Sequence, residues 1–145
     1  MIAAADRKDL VERFYSAFTS QDLDGFVATL HPEVELQTAR GPLEGRDEAR
    51  RWATKNASGG LEQHVMLEDV RAGEDGAHAV ALIRKQWWWR ESDEVAHDEP
   101  EAALFTFRDG LICRWQPFED RGEALDLLAE LAGDRGRAGT DGATG

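Results

Sequence analysis

The chain has 145 residues, with 17 Lys plus Arg against 29 Asp plus Glu and a formal net charge of −12. That length fits one domain burying roughly two-thirds of its unfolded surface, and the negative field repels phosphate backbones and anionic lipid, so we expect no nucleic-acid partner and no membrane partner. With 41% hydrophobic residues there is material for a core, and the single cysteine, Cys113, excludes both an intrachain disulfide and a thiolate metal cluster.

Between Met1 and Asp6 stand four uncharged residues, too few for a signal-peptide apolar region, and no later run approaches membrane-spanning length. Together with the unpaired cysteine this leads us to expect a cytoplasmic protein.

Asp6 is placed as the N-cap of a first helix. In it Leu10, Phe14 and Phe18 recur every four residues, with Val11 and Tyr15 beside them, giving an amphipathic helix with an aromatic stripe. Residues 20–22 break the pattern; Leu23, Phe26, Val27 and Leu30 restart it on a short second helix that ends before Pro32. Residues 34–38 alternate as a short strand would, and Gly41, Pro42 and Gly45 mark the loop that follows. A third helix is predicted over 47–56, with Ala49, Trp52 and Ala53 on one side and Ser58, Gly59 and Gly60 ending it.

Beyond Leu61 the texture changes to strands: 64–72, a turn through 73–76, then 78–90, 95–108 and 111–118. Asp109-Gly110 between the last two is the strongest hairpin signal in the chain. These runs read as an antiparallel meander. Ala124, Leu127, Leu128 and Leu131 make a short last helix. Residues 1–132 are thus expected to form a single domain and 133–145, rich in glycine and charge, a disordered tail. Helices first and long strands after imply an α+β fold, a curved antiparallel sheet with helices on one face and a pocket between them.

The run Trp87, Trp88 and Trp89 is the most distinctive feature. On a strand Trp87 and Trp89 share one side and Trp88 takes the other. Residues 79–83 are apolar on both faces, which leaves open which side meets the pocket. It also implies cover on both sides, by helices and by a partner subunit; we therefore expect a homodimer through the outer sheet face.

Phe14, Tyr15, Phe18, Trp52, Trp87, Trp89, Phe105 and Trp115 are the candidates for lining the pocket, with core packing the competing role for each. Cys113 has no paired histidine and reads as a small buried residue. His97, Glu99 and Glu101 share one strand face, which suits a proton relay or a weak metal site, while the neighbouring Pro100 argues for a wet strand edge. His31, His64 and His78 have no common spacing, so no metal site is assigned. Nucleotide, flavin and metal motifs are all missing, so no cofactor is expected.

FYSAFTSQDLDGFVATLHPEVEL, GPLEGRDEARRW and FTFRDGLICRWQPFED, in that order, resemble the nuclear transport factor two-like superfamily and within it the SnoaL-like branch, over 9–131. The resemblance implies a cone of sheet around the helices. It also places the tyrosine, general-base aspartate and protonated aspartate of ketosteroid isomerases at Phe14, Thr38 and about Ala103, where no group can move a proton. Tyr15 adjoins the first position, turned by about 100° along the helix. Of the Asp-Arg-Asp set of limonene epoxide hydrolases only Asp120 has a counterpart, since Arg90 is followed by Glu91 and Ser92.

SnoaL-like cyclases put a catalytic acid at the end of the last strand, which falls at Glu119 or Asp120. A pocket carboxylate of raised pKa serves as general acid or base, and a carboxylate in front of a helix equally serves as its N-cap. The expected function is binding of a small, largely apolar organic molecule, with cofactor-free acid/base catalysis by Glu119, Asp120 and His97 in a cyclase, isomerase or dehydratase manner. The alternative is a non-catalytic ligand-binding or dimerisation module whose pocket is filled by its own side chains.

Overall fold

In the computed structural model the described residues are 3–38, 41–54, 61–89 and 94–140, with the side chains of 61–63, 88, 96–97 and 132–140 outside the description. The elements are α1 (Ala4–Ser20), α2 (Leu23–Ala28), β1 (Leu30–Thr38), β2 (Gly41–Glu44), α3 (Arg46–Thr54), β3 (Leu61–Ala72), β4 (His78–Trp89), β5 (Val95–Arg108), β6 (Leu111–Phe118) and α4 (Arg121–Thr140).

The i, i+4 row of α1 buries Leu10, Phe14 and Phe18 together with Val11, Tyr15 and Ala17. The helix starts at Ala4, so Asp6 lies inside its first turn instead of capping it. There the carboxylate faces the positive end of the helix dipole. Gln21 ends α1 in the left-handed region at φ 61°. Its side-chain Nε2 donates to the carbonyls of Phe18 at 3.0 Å and Ala53 at 3.1 Å, tying the end of α1 to α3. Asp22 caps α2 by accepting from the Gly25 amide at 3.0 Å.

α2 stops at Ala28, earlier than the apolar spacing suggested, because Leu30 enters the sheet. The Ile112 amide donates to the Thr29 carbonyl at 2.9 Å, and Leu30 pairs in parallel with Ile112. Pro32 falls in the irregular stretch of this pairing between Leu30 and Glu35, where its missing N–H leaves no regular ladder bond unmade. The expected loop at 41–45 is instead mostly the short edge strand β2, paired with β1 from Glu35↔Glu44 to Thr38↔Gly41.

The six strands lie in the order β2-β1-β6-β5-β4-β3, antiparallel throughout except for β1 beside β6. Asp109 and Gly110 both take positive φ, 55° and 77°, in a two-residue turn between the paired Arg108 and Leu111. Register shifts at Leu67/Asp69, Trp87/Trp88 and Thr106/Phe107 insert bulges that bend the long strands. The result is a curved, unclosed sheet in an α+β fold with the first three helices in its concavity.

Alternation then divides the apolar residues into two cores. Ala79, Ala81, Ile83, Ala103, Phe105, Phe107 and Trp115 face inward onto α1, α2 and α3. Val80, Leu82, Ala102 and Leu104 face outward and pack on Ala124 and Leu128 of α4. The apolar register on both faces is therefore explained within one chain, by its own last helix, where the sequence argument invoked a partner subunit.

Arg121 fastens this helix. Its Nε donates to the Glu101 carbonyl at 3.1 Å, and one terminal nitrogen donates to the Ile83 carbonyl at 2.7 Å and pairs with Glu68. Helical backbone continues to Thr140, past the point where the tail was expected to begin. No proline lies beyond Pro117 to end the helix, and each glycine costs it about 1 kcal/mol. Residues 141–145 lie outside the description.

Candidate functional site

A cavity of about 620 Å³ opens between the concave face and helices α1 and α3, within the range of small-molecule sites. α1 contributes Phe14, Tyr15 and Phe18, and α3 contributes Trp52. Gln37 and Thr38 come from the end of β1, Val65 from β3, and the inward series Ile83, Lys85, Trp87 from β4. Glu101 projects from β5, and β6 with its exit supplies Trp115, Gln116, Pro117, Phe118 and Glu119.

Seven of the sixteen lining residues are aromatic. Trp52 and Trp115 lie 5.2 Å apart between ring centroids, Phe18 is 5.2 Å from Trp52, and Phe14 meets Tyr15 edge-on at 5.1 Å. Besides Gln37, Thr38, Gln116 and Glu119, two polar features stand among them. Lys85 Nζ lies 3.3 Å from Glu101 Oε1, their side chains 25% and 10% exposed, and 5.8 Å from the ring centroid of Trp87, within cation–π range.

The second is Tyr15, whose hydroxyl oxygen accepts from Trp115 Nε1 at 3.3 Å. Among the described residues no acceptor meets the phenolic hydrogen. Burial pushes this phenol far above its ordinary range; the Trp115 hydrogen bond acts the other way, and the nearby Glu101 charge adds to the rise. Tyr15 therefore stays a neutral hydrogen-bond donor at any physiological pH. Although one residue from Phe14 on the helix, it also reaches the cavity, because the concave sheet wraps around more than one helical face.

Phe14, Tyr15, Phe18, Trp52, Trp87 and Trp115 of the expected lining all border the cavity. Phe105 does not: it is fully buried behind the wall, its ring 5.1 Å from Phe14 and 5.7 Å from Tyr15. Trp89 is 48% exposed at the strand end and borders no part of the cavity. There the register shift after Trp87 breaks the simple alternation.

Glu119 sits on the exposed rim of the cavity. Asp120 is exposed and turned to α4, its Oδ1 accepting from the Gly122 amide at 2.7 Å, which is the capping role. The backbone of His97 pairs with Trp87, and its side chain lies outside the description, as does that of Trp88. Glu101 corrects the wet-edge reading of its strand, being buried among the cavity residues.

Sequence reasoning weighed Glu101 with His97 and Glu99, and missed Lys85 and its pairing with Glu101. Both stand where an inward i, i+2 apolar series is broken by charge: Ala79, Ala81, Ile83, then Lys85; and Phe105, Ala103, then Glu101. That interruption was the available signal. Among the described residues no group of three or more His, Cys, Asp or Glu is placed to hold a metal ion, and no helix is long and apolar enough to cross a membrane.

The profile of the SnoaL-like domain matches residues 11–115. The chain belongs to this family. No curated protein matches it. Among solved structures, a candidate polyketide cyclase from Xanthomonas campestris pv. campestris is 21% identical, with 86% of this chain and 97% of that one covered and a TM-score of 0.68. An LEH-like epoxide hydrolase of M. tuberculosis is 17% identical over 87% of this chain and 91% of that one, TM-score 0.64. A Δ5-3-ketosteroid isomerase from Mycobacterium sp. is 13% identical over 80% and 93%, TM-score 0.62. At these identities the likeness is one of fold. The polar groups of this SnoaL-like chain enter the cavity from α1, β4 and β5, at Tyr15, Lys85 and Glu101.

Proposed function

We propose that this SnoaL-like domain binds a small, largely apolar organic molecule in the cavity and moves a proton on it without a cofactor, with Glu101 as the proton-transferring carboxylate. The observation that carries this reading is the Lys85–Glu101 pair, held at 3.3 Å inside a cavity rich in aromatic side chains. A carboxylate there can take a proton from an acidic C–H of the ligand. Lys85, 3.3 Å away, is placed to stabilise the negative charge that proton removal leaves on the ligand. Tyr15 contributes a neutral O–H that hydrogen-bonds an oxygen on which charge develops. Such a set suits enolisation, and from it isomerisation, ring closure or dehydration.

Glu119, on the rim, is placed to meet the outer end of a ligand, and Asp120 is assigned to holding α4. A second reading, binding without turnover, is favoured by the fact that Lys85 and Glu101 already satisfy each other. Homodimerisation remains a proposal for the part of the outer face that α4 leaves free, where Met66 is 51% exposed.

Native mass spectrometry of the freshly purified protein tests binding through any organic molecule that travels with it. Incubating that molecule with enzyme in D₂O then tests proton transfer. Deuterium entering the ligand with the native protein, and at least tenfold more slowly with Glu101→Gln, is the expected result. Retention of the ligand with no exchange would favour the binding-only reading.

A further inference from the structure

Among the described residues the charges around the cavity do not balance. Of the described residues that line it, one is cationic, Lys85, and two are anionic, Glu101 and Glu119. Glu101 is taken by Lys85. Glu119 makes no ion pair and no hydrogen bond with any described residue. Among the described residues one carboxylate of the cavity is thus uncompensated, in a chain whose net charge is −12.

An anionic ligand would have to share Lys85 with Glu101 and approach against this field. A cation meets the opposite situation. Three indoles, Trp52, Trp87 and Trp115, border the space, and the faces of such rings attract positive charge. One of them already holds a cation: Lys85 Nζ lies 5.8 Å from the Trp87 centroid.

A separate observation indicates that something is to be bound. The Tyr15 hydroxyl, on a residue only 4% exposed, has its hydrogen unaccepted by any described residue. It awaits an acceptor atom on a guest.

Resting on the binding reading above, we propose that the cavity selects a ligand bearing an ammonium group on a flat apolar body, its positive charge lying between the indole faces and Glu119 and an acceptor atom meeting Tyr15. The protein then discriminates by charge as well as by shape.

Three probes of nearly equal size separate the possibilities: 9-anthracenylmethylammonium, 9-anthracenemethanol and 9-anthracenecarboxylate, titrated by calorimetry against the whole chain. The cation should bind at least tenfold more tightly than the anion, with the alcohol between. That ratio should shrink to below about threefold in Glu119→Gln, whose exposed position leaves folding intact. Equal or tighter binding of the anion, with the alcohol bound, would overturn the charge selectivity and leave the binding reading standing. A preference unchanged by Glu119→Gln would overturn the role of that carboxylate. If none of the three binds below 1 mM (about −4 kcal/mol), both this inference and the open-cavity reading fall.

Discussion

The two faces of the central strands β4 and β5 begin alike and end differently. On the inner face Ala79, Ala81 and Ile83 lead to Lys85 and Glu101; on the outer face Val80 and Leu82 lead to Arg84 and Asp98. Each face passes from an apolar half to a charged half. The outer pair, Arg84 to Asp98 at 3.0 Å, has side chains 36% and 38% exposed and joins Glu68 and Arg121 in a wet ion network. Its inner counterpart is more enclosed and shares its space with indoles. Similar residue types thus give a surface network worth little on one side and a candidate reactive centre on the other, and the difference lies in solvent access.

This contrast can be broken by mutation. The largest effect is expected where the inner core is thickest: Phe105→Ala, removing a ring in contact with Phe14, Tyr15 and Phe107, should cost about 3–5 kcal/mol in urea unfolding. Leu128→Ala on the outer seam, at 8% exposure, should cost less, near the 2 kcal/mol end of its class. Equal losses would mean that α4 is as integral to the domain as the helices of the concave face.

Next comes Lys85→Met, which strands Glu101. A fully buried pair broken this way costs 3–5 kcal/mol, and the partial exposure here reduces that to about 1–3 kcal/mol. Arg84→Met on the outer face should cost clearly less, since water takes over the charge left on Asp98. If the two variants lose the same stability, the inner pair is as well solvated as the outer one and the proposed chemistry loses its setting.

Asp120→Ala should cost about 1 kcal/mol as a lost helix cap and leave binding of the anthracene probes unchanged. A loss of binding without a loss of stability would restore Asp120 to the ligand site.

Smallest at neutral pH, and sharpest as a diagnostic, is the titration of the single tyrosine. The folded-state pKa of Tyr15 is raised above its unfolded value of about 10. The folded form therefore holds the proton more tightly. The associated stability is fully present below pH 10 and is lost as pH climbs through the folded pKa. Absorbance at 295 nm should show no phenolate at pH 10.5 in the native protein, whereas a half-ionised signal there would mean a solvated hydroxyl.

Much of the frame was legible in the chain: the aromatic row of α1, the meander, and the Asp109-Gly110 turn all follow from spacing and turn chemistry. The site was less so. Pairing register decides which of Ile83 and Leu82 faces the cavity, and two apolar faces leave that undetermined until α4 is seen to cover one of them. Glu101 was misjudged for a related reason: Pro100 marks an edge for backbone bonding, which says nothing of where the next side chain points. Asp120 and Glu119 are adjacent in sequence, and only the start of α4 separates the capping carboxylate from the one on the rim.

The parallel seam between β1 and β6 carries a kinetic consequence. Leu30 and Ile112 are joined across a loop of about eighty residues, whereas β5 and β6 meet through a two-residue turn, and closing long loops is slow. β1 is therefore expected to dock last, and pulse-labelled hydrogen exchange should protect amides of β5 and β6 before those of β1. Until that docking the cavity lacks one wall, so the nascent chain holds its indoles uncovered through the slowest step of folding, which makes this interval the one most exposed to association with other chains.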